Sequence, residues 1–566
     1  MKMRKWSDWM NNHRRPKQIY HRWLRKLSRS KWSIRLLGLP TDTNQPANTG
    51  VLMIQIDGLS SVQFQRALLR GRMPFVKKLI LDHKVRQAPF YAGLPSATPA
   101  VQAELFYGVK TAVPAFEFID RKTGNRHAMF RAASVNTVVH RLSDRRRPLL
   151  EGGSSYSNIY SGGARTAKYC AETISMESML KSANPLKVML VLFFHIGKLL
   201  RVIGYSLIEL NLAVYDFFKG LVEGRHFLKE LKFVPTRVFV CAILREMIRF
   251  RVKMDLARGV PIICANFFGY DEQSHRRGPD SAFAHWTLKG IDGVVRDLYK
   301  NAQRSNHRNY RVVIYSDHGQ QRVAPYQNRF GRSVKTTIRE IITPHVSGAS
   351  TVAPVQDEGR LESFYRRAGN LFSGHTVLGG RENGLFSGRA SSRIRITTMG
   401  PLSHVYLPRP RAEGGTAWAC ERTMAGDDRI DLHHLARRLN QQAAIPLVLF
   451  RKDGSVMAVN EDGTYDLSAG RRAAIGADHP FLDETARDLK NLCLHPDAGD
   501  LVLSGWRPGR TPLSFNTENG AHGGPGTEET SGFVLLPSDV KANHSFLRPN
   551  ELRTIILQMR DVSSDQ

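Results

Sequence analysis

Gly50-Val51-Leu52-Met53-Ile54-Gln55-Ile56-Asp57-Gly58 is the stretch on which the reading of this chain turns. A compact apolar run closed by Asp-Gly reads as a strand buried on both faces, as the strands of a parallel sheet are. Two further runs have the same form: Val260-Pro261-Ile262-Ile263-Cys264-Ala265-Asn266-Phe267-Phe268 and Arg311 to Tyr315. Each delivers acidic residues just beyond its apolar part. Open α/β sheets place their sites at the carboxyl ends of parallel strands. Helical patterns lie between the runs, at Phe75 to Asp82 and Ser281 to Arg304. The predicted class is α/β, with a mainly parallel central sheet flanked by helices.

The 566 residues can bury a large core. Apolar content of 42% and charged content of 23% are those of a globular protein, but 82 Lys and Arg stand against 50 Asp and Glu. The resulting charge of +32 favours anionic partners: phospholipid headgroups, nucleic acid or phosphorylated small molecules. No nucleic-acid-binding motif accompanies it. The cysteines, at 170, 241, 264, 420 and 493, form no C-x-x-C and are odd in number. That argues against a disulfide framework and for a reducing, cytoplasmic compartment. No secretory signal opens the sequence.

Seven segments follow from composition. Residues 1–49 are a basic aromatic segment and linker; 50–150, 259–346 and 426–545 are parts of the core. Residues 151–258 read as a helical apolar insertion, 347–425 as a polar, loop-rich one, and 546–566 as a tail. Residues 1–36 hold twelve Lys or Arg, one acid (Asp8), and Trp6, Trp9, Trp23 and Trp32. Such a segment suits the inner face of an anionic membrane, or is a solvated tail. Pro185 to Phe218 is the most apolar part. A spanning helix needs ~20 mainly apolar residues, and here Lys187, His195, Lys198, Arg201 and Glu209 interrupt the run. Spanning stays undecided on this count; the cations suit an interfacial helix better, and a cap packed on the core is the alternative.

Seven side chains carry the chemistry. Asp271 and His275, in Asp271-Glu272-Gln273-Ser274-His275, are four apart, so on a helix they share a face and can share a metal. Asp317 and His318 leave a buried strand together. Asp57 ends the first strand. His522 sits in Gly520-Ala521-His522-Gly523-Gly524, whose glycines let backbone approach a ligand. Thr98, in Leu94-Pro95-Ser96-Ala97-Thr98-Pro99, precedes a helical pattern over Val101 to Gly108. Its hydroxyl would then lie near a helix N-terminus, which favours an anion, unless it serves only as an N-cap. Ser96 is the rival hydroxyl. Three carboxylates, three imidazoles and a hydroxyl are what a pair of divalent cations needs to work on phosphate. With neutral imidazoles, two such ions leave a net charge of +1, which a phosphodiester monoanion balances. His433-His434 reads as helix surface, His495-Pro496-Asp497 and Asp500 as turn chemistry, and Glu272 and Asp280 as supporting or surface groups.

This set resembles the alkaline phosphatase superfamily, in its type I phosphodiesterase/nucleotide pyrophosphatase branch, over roughly 50–120, 260–325 and 440–540. The D-x-x-x-H-R-x-G-P match from Asp271 to Pro279 is its most specific piece. The resemblance implies an alkaline-phosphatase-like core. It implies one zinc on Asp57, Thr98, Asp317 and His318, and a second on Asp271, His275 and His522. It also implies hydrolysis of a phosphodiester or pyrophosphate bond through a phosphothreonine at Thr98. The Ser-His-Gly segment that many relatives carry after the nucleophile helix is missing from Thr111 to Asp120, and Asn125 is the substitute phosphate donor. The other functions open to this reading are a phosphomonoesterase or a phosphoryl or headgroup transferase. Of another class is an idle relative that binds membrane or nucleic acid.

Overall fold

The computed structural model describes residues 49–143, 147–173, 203–217 apart from 205 and 216, 237–346, 394–408, 430–542 and 544–561. The basic segment 1–36 lies outside them, as do 174–202 and 218–236 of the apolar insertion and 347–393 and 409–429 of the polar one.

The central sheet has seven strands: β1 (Thr49–Ile56), β2 (Val85–Tyr91), β3 (Ser154–Tyr156), β4 (Thr166–Lys168), β5 (Ile262–Phe267), β6 (Asn309–Tyr315) and, last in the chain, Ser531–Pro537. In space that last strand lies between β2 and β6, and the order continues β6-β1-β5-β3-β4. β1 pairs in parallel with both β5 and β6, and β3 pairs in parallel with both β5 and β4. Ser531–Pro537 runs antiparallel to both of its neighbours. Six strands therefore share one direction and a single strand opposes them.

The apolar runs form the middle of the sheet for the expected reason. Val51, Leu52, Met53 and Ile54 are all fully buried, and alternate residues feed opposite layers: Val51 and Met53 one core, Leu52, Ile54 and Ile56 the other. Helix α1 (Thr98–Tyr107) is buried along its whole length. Helix α2 (Arg245–Arg258) and the long α3 (Ala282–Gln303), which Ser281 caps, cover the opposite face.

Three boundaries move. Both ends of the 151–258 insertion belong to the core: β3 and β4 extend the sheet, and α2 packs on it. The strands escaped notice because Ser154-Ser155-Tyr156 is too short and polar to show a pattern. In the described part of 347–425, where loops and irregular strands are expected, a regular hairpin forms, Arg395–Met399 with Leu402–Tyr406. Its buried positions include Thr397, Thr398, Ser403 and His404, so burial there is masked by polar residue types. That hairpin opens a separate six-stranded sheet that takes most of 426–545. Leu447–Lys452 and Ser455–Asn460 are joined in it through the Asp453-Gly454 turn.

Among the described residues no helix is long and apolar enough to cross a membrane.

Candidate active site

Strand direction builds the site. β1, β2, β5 and β6 all end at the same edge of the sheet, and each hands its following loop to that edge. Ser531–Pro537 runs the other way, so its amino end reaches the same edge. His522 therefore precedes its strand, where the other residues follow theirs.

Asp57 leaves β1 into Gly58, whose φ is +71°. A Cβ at Gly58 would lie 2.6 Å from Asp271 Oδ1, so only glycine fits between the two carboxylates. Asn266, on β5, donates from Nδ2 to Asp57 Oδ2 at 2.7 Å. Asp271 and His275 stand one turn apart on the helix Gly269–Arg277, with His275 Nε2 3.5 Å from Asp271 Oδ2. Gln320 Nε2 donates to the Asp271 carbonyl at 3.0 Å and also to its carboxylate. After β6, Ser316 Oγ donates to the His318 carbonyl at 2.6 Å and accepts from Leu59 N, which fastens the Asp317-His318 corner to the end of β1.

Two clusters result, Asp57 with Asp317 and His318, and Asp271 with His275 and His522, every member buried. They are contiguous. The rings of His318 and His522 stack with centroids 3.9 Å apart, and His522 Nε2 is 3.7 Å from Asp271 Oδ1.

Thr98 is the first residue of α1, and Ala97, not Thr98, occupies the N-cap. The helix begins three residues earlier than its apolar pattern suggested. The Thr98 hydroxyl is thus turned to the clusters: Oγ1 is 3.3 Å from Asp57 Oδ1 and 3.1 Å from His318 Nε2. Ser96 is used differently. Its hydroxyl donates to the Gly524 carbonyl and accepts from Gly523 N, and its own carbonyl meets His522 Nδ1 at 2.9 Å. It clamps the His522 loop. Asn125 stands apart from these seven: it is exposed at a hairpin turn, where its N–H donates to Thr123 Oγ1 and its carbonyl accepts from Asp120 N.

The donors fit a pair of divalent cations. Each imidazole has its Nδ1 on a carbonyl oxygen: His275 on Gly520 at 2.9 Å, His318 on Gly319 at 3.0 Å, His522 on Ser96 at 2.9 Å. A carbonyl only accepts, so Nδ1 carries the proton and the Nε2 lone pair of each neutral ring faces carboxylate oxygen. Acceptor then faces acceptor at 3.4–3.7 Å, an arrangement that a cation between them relieves. Asp317 is fully buried, and neither of its oxygens accepts a hydrogen bond of good geometry. Burial raises its pKa, against the weaker opposing pull of His318, the Thr98 hydroxyl and its own N–H. A buried carboxylate so poorly served by donors fits a cation beside it. His275 titrates in the same field. Without a cation a proton fills that role at His275: burial opposes its charging, but Asp271 and Glu518 outweigh burial and raise its pKa to about 10, so the neutral ring belongs to the site with a cation in place of that proton.

Asn266, Gln320 and Glu518 were missed from sequence. Glu518 Oε2 lies 2.9 Å from His275 Nδ1, and its other oxygen accepts from Ser514 Oγ at 2.8 Å. A polar residue near the end of an apolar run, as Asn266 is, was a usable signal; Glu518 in its polar loop offered none. Elsewhere, His433 lies on the helix Leu432–Gln442 with Nε2 3.0 Å from Thr464 Oγ1. Asp497 and Asp500 exceed turn chemistry: they bind Arg121 and Arg141 and tie the hairpin near residue 120 to the second sheet.

Residues 254–371 match the family model of type I phosphodiesterase / nucleotide pyrophosphatase. The match takes in four of the seven residues, Asp271, His275, Asp317 and His318. Asp57, Thr98 and His522 lie outside it and are brought in by the fold. Over that segment the chain is similar to the type I phosphodiesterase / nucleotide pyrophosphatase family. No curated protein matches it. Among solved structures, phosphonoacetate hydrolase from Sinorhizobium meliloti 1021 in complex with phosphonoformate is similar, at 14% identity and TM-score 0.44 over 92% of this chain and 99% of that one. Murine ectonucleotide pyrophosphatase / phosphodiesterase 5 in complex with AMP is similar at 10% identity and TM-score 0.43, over 91% and 95%.

Proposed function

We propose that this protein hydrolyses a phosphodiester or pyrophosphate bond, with Thr98 as nucleophile and two divalent cations held by Asp57, Asp317 and His318 and by Asp271, His275 and His522. Zinc suits this mixed imidazole and carboxylate set. The observation that carries the reading is the position of Thr98 Oγ1, within 3.3 Å of Asp57 and His318 on buried, acceptor-rich ground.

A threonine hydroxyl is a weak nucleophile until its proton is removed. When bound, the cations would lower the pKa of that hydroxyl and neutralise charge that develops on the phosphate and the leaving oxygen. Thr98 Oγ1 attacks phosphorus, one P–O bond breaks as the alcohol or phosphate leaves with the threonine proton, and a phosphothreonine that keeps the other substituent forms. Water then cleaves it and restores the hydroxyl. Asp57, which Asn266 holds, and His318, which Gly319 anchors, keep Thr98 Oγ1 on that line. Burial of every cluster member excludes bulk water from the reacting oxygen.

The test is turnover of bis-p-nitrophenyl phosphate and p-nitrophenyl phosphate by purified protein with added zinc or manganese. The diester is the expected substrate, and Thr98→Ala lowers its turnover roughly 10³-fold or more. Cleavage of the monoester alone would reject the diesterase assignment, and an active Thr98→Ala would reject the nucleophile.

A further inference from the structure

The helix over 203–217 shows its apolar side to solvent. Glu209 and Ala213, one turn apart, are buried, and Glu209 pairs with the fully buried Arg237 at 3.0 Å. That pair seats the helix, and Arg237 Nη1 goes on to Gln273, on the helix that carries Asp271 and His275. Outward stand Ile203, Leu207, Ile208, Leu210, Val214 and Tyr215, each 41–64% exposed. They are six of the eleven large apolar side chains exposed among the described residues, so the concentration is local. The polar residue on this face is the uncharged Asn211.

We infer that this face docks on an anionic phospholipid surface, with the helix lying in the plane of the membrane. Three observations select lipid over a second copy of the chain. Together the six side chains expose the equivalent of about three whole residues, roughly 500 Å². That falls short of the ~800 Å² per partner that a stable dimer face buries, but suits an amphipathic helix seated at headgroup depth.

The rim has interfacial chemistry. Tyr215 stacks on Phe283, with ring centroids 6.2 Å apart. Three residues along α3 from Phe283 is Trp286, with Lys289 Nζ over its ring at 5.5 Å. A tyrosine, a tryptophan and a lysine beside an apolar stripe place rings at headgroup level and a cation at phosphate.

The charge is also complementary. The chain carries +32, and Lys289 stands at the rim of the face. On this surface the enzyme would meet phosphodiesters of membrane lipids. The docking itself does not depend on the hydrolase reading.

The experiment is flotation of the full chain with vesicles of phosphatidylglycerol and phosphatidylcholine, or of phosphatidylcholine alone. Leu207→Asn with Val214→Asn is expected to lower the partition constant about tenfold or more, because two apolar side chains leave the bilayer. Asn211→Leu, which closes the polar gap in the stripe, is expected to raise it, and misfolding does not imitate a gain. Lys289→Glu lowers binding to the anionic vesicles only. Equal partitioning of wild type, the double variant and Asn211→Leu would overturn the proposal. So would a lipid-free dimer, seen by sedimentation, that the double variant converts to monomer. Turnover of soluble bis-p-nitrophenyl phosphate, read in parallel, reports on the hydrolase reading separately.

Discussion

Asp317→Asn should stabilise the metal-free protein and forfeit about half of the stabilisation that metal confers. The burial of Asp317 is complete and neither oxygen has a hydrogen bond of good geometry. Leaving a buried acceptor unsatisfied costs about 1–3 kcal/mol. An unfolding entropy of about 2.1 cal/mol/K per residue, over the roughly 390 described residues, comes to about 0.8 kcal/mol/K. Removing the charge with an isosteric amide should then raise the melting temperature of the chelator-treated protein by about 1–4 °C. With metal that gain is offset. At free metal ~100-fold above Kd, each site adds about 2.7 kcal/mol, or about 3 °C, so wild type should gain about 6–7 °C and the variant about half of that. Scanning calorimetry of both proteins, with EDTA and with zinc, measures all four values. A variant that keeps the full metal-dependent gain, or melts below wild type in EDTA, would refute the assignment of Asp317 to a cation.

Ser96→Ala separates the two hydroxyls: turnover at saturating metal stays within about tenfold of wild type, while metal affinity drops about 10–100-fold as the His522 loop loosens. A dead Ser96→Ala with full metal content would make Ser96 the nucleophile. Gly58→Ala, measured by diester turnover and metal content, should lose about 10²-fold in turnover because it pushes Asp271 aside and strains φ; unchanged turnover would show that the spacing tolerates a Cβ. Burial raises the pKa of Glu529 to about 8, although Gly524 N–H opposes the shift. A carboxyl raised above its ordinary 4.5 contributes stability in full below that value and loses it as pH rises through 8. Thermal melts from pH 5 to 9 should fall less steeply in Glu529→Gln than in wild type, and parallel curves would remove Glu529 as the cause.

What sequence made legible was what burial on two faces makes legible. β1, β5 and β6 are central strands, so their apolar runs are unbroken and their trailing acids stand out. Direction was not legible. Nothing within Gly532-Phe533-Val534-Leu535-Leu536 states that this strand opposes its neighbours, yet that reversal is why His522 arrives ahead of it. The hairpin at 395–406 was hidden by Thr397, Thr398, Ser403 and His404, polar residues buried on a sheet. The start of α1 was hidden because Thr98-Pro99 reads equally well as a cap. Glu518 and Gln320 reach the site across 243 and 49 residues respectively, and no local period encodes such contacts.

The spacing between the two clusters is a property of backbone more than of side chains. Three imidazoles hang from carbonyls of Gly520, Gly319 and Ser96, which belong to three separate loops. Those loops are stitched together in turn: Gly520-Ala521 pairs with Gln321-Arg322, and Ser96 holds Gly523 and Gly524. Gly58 lets the Asp57 corner close on Asp271 with no atom to spare. In-line transfer between two cations requires their separation to hold through the reaction, at ~3.5–4 Å in sites of this kind. Long side chains reaching from one scaffold would let that distance drift. Short ones on mutually bonded strand ends do not, and this is why the residues gather at one sheet edge from five places in the chain.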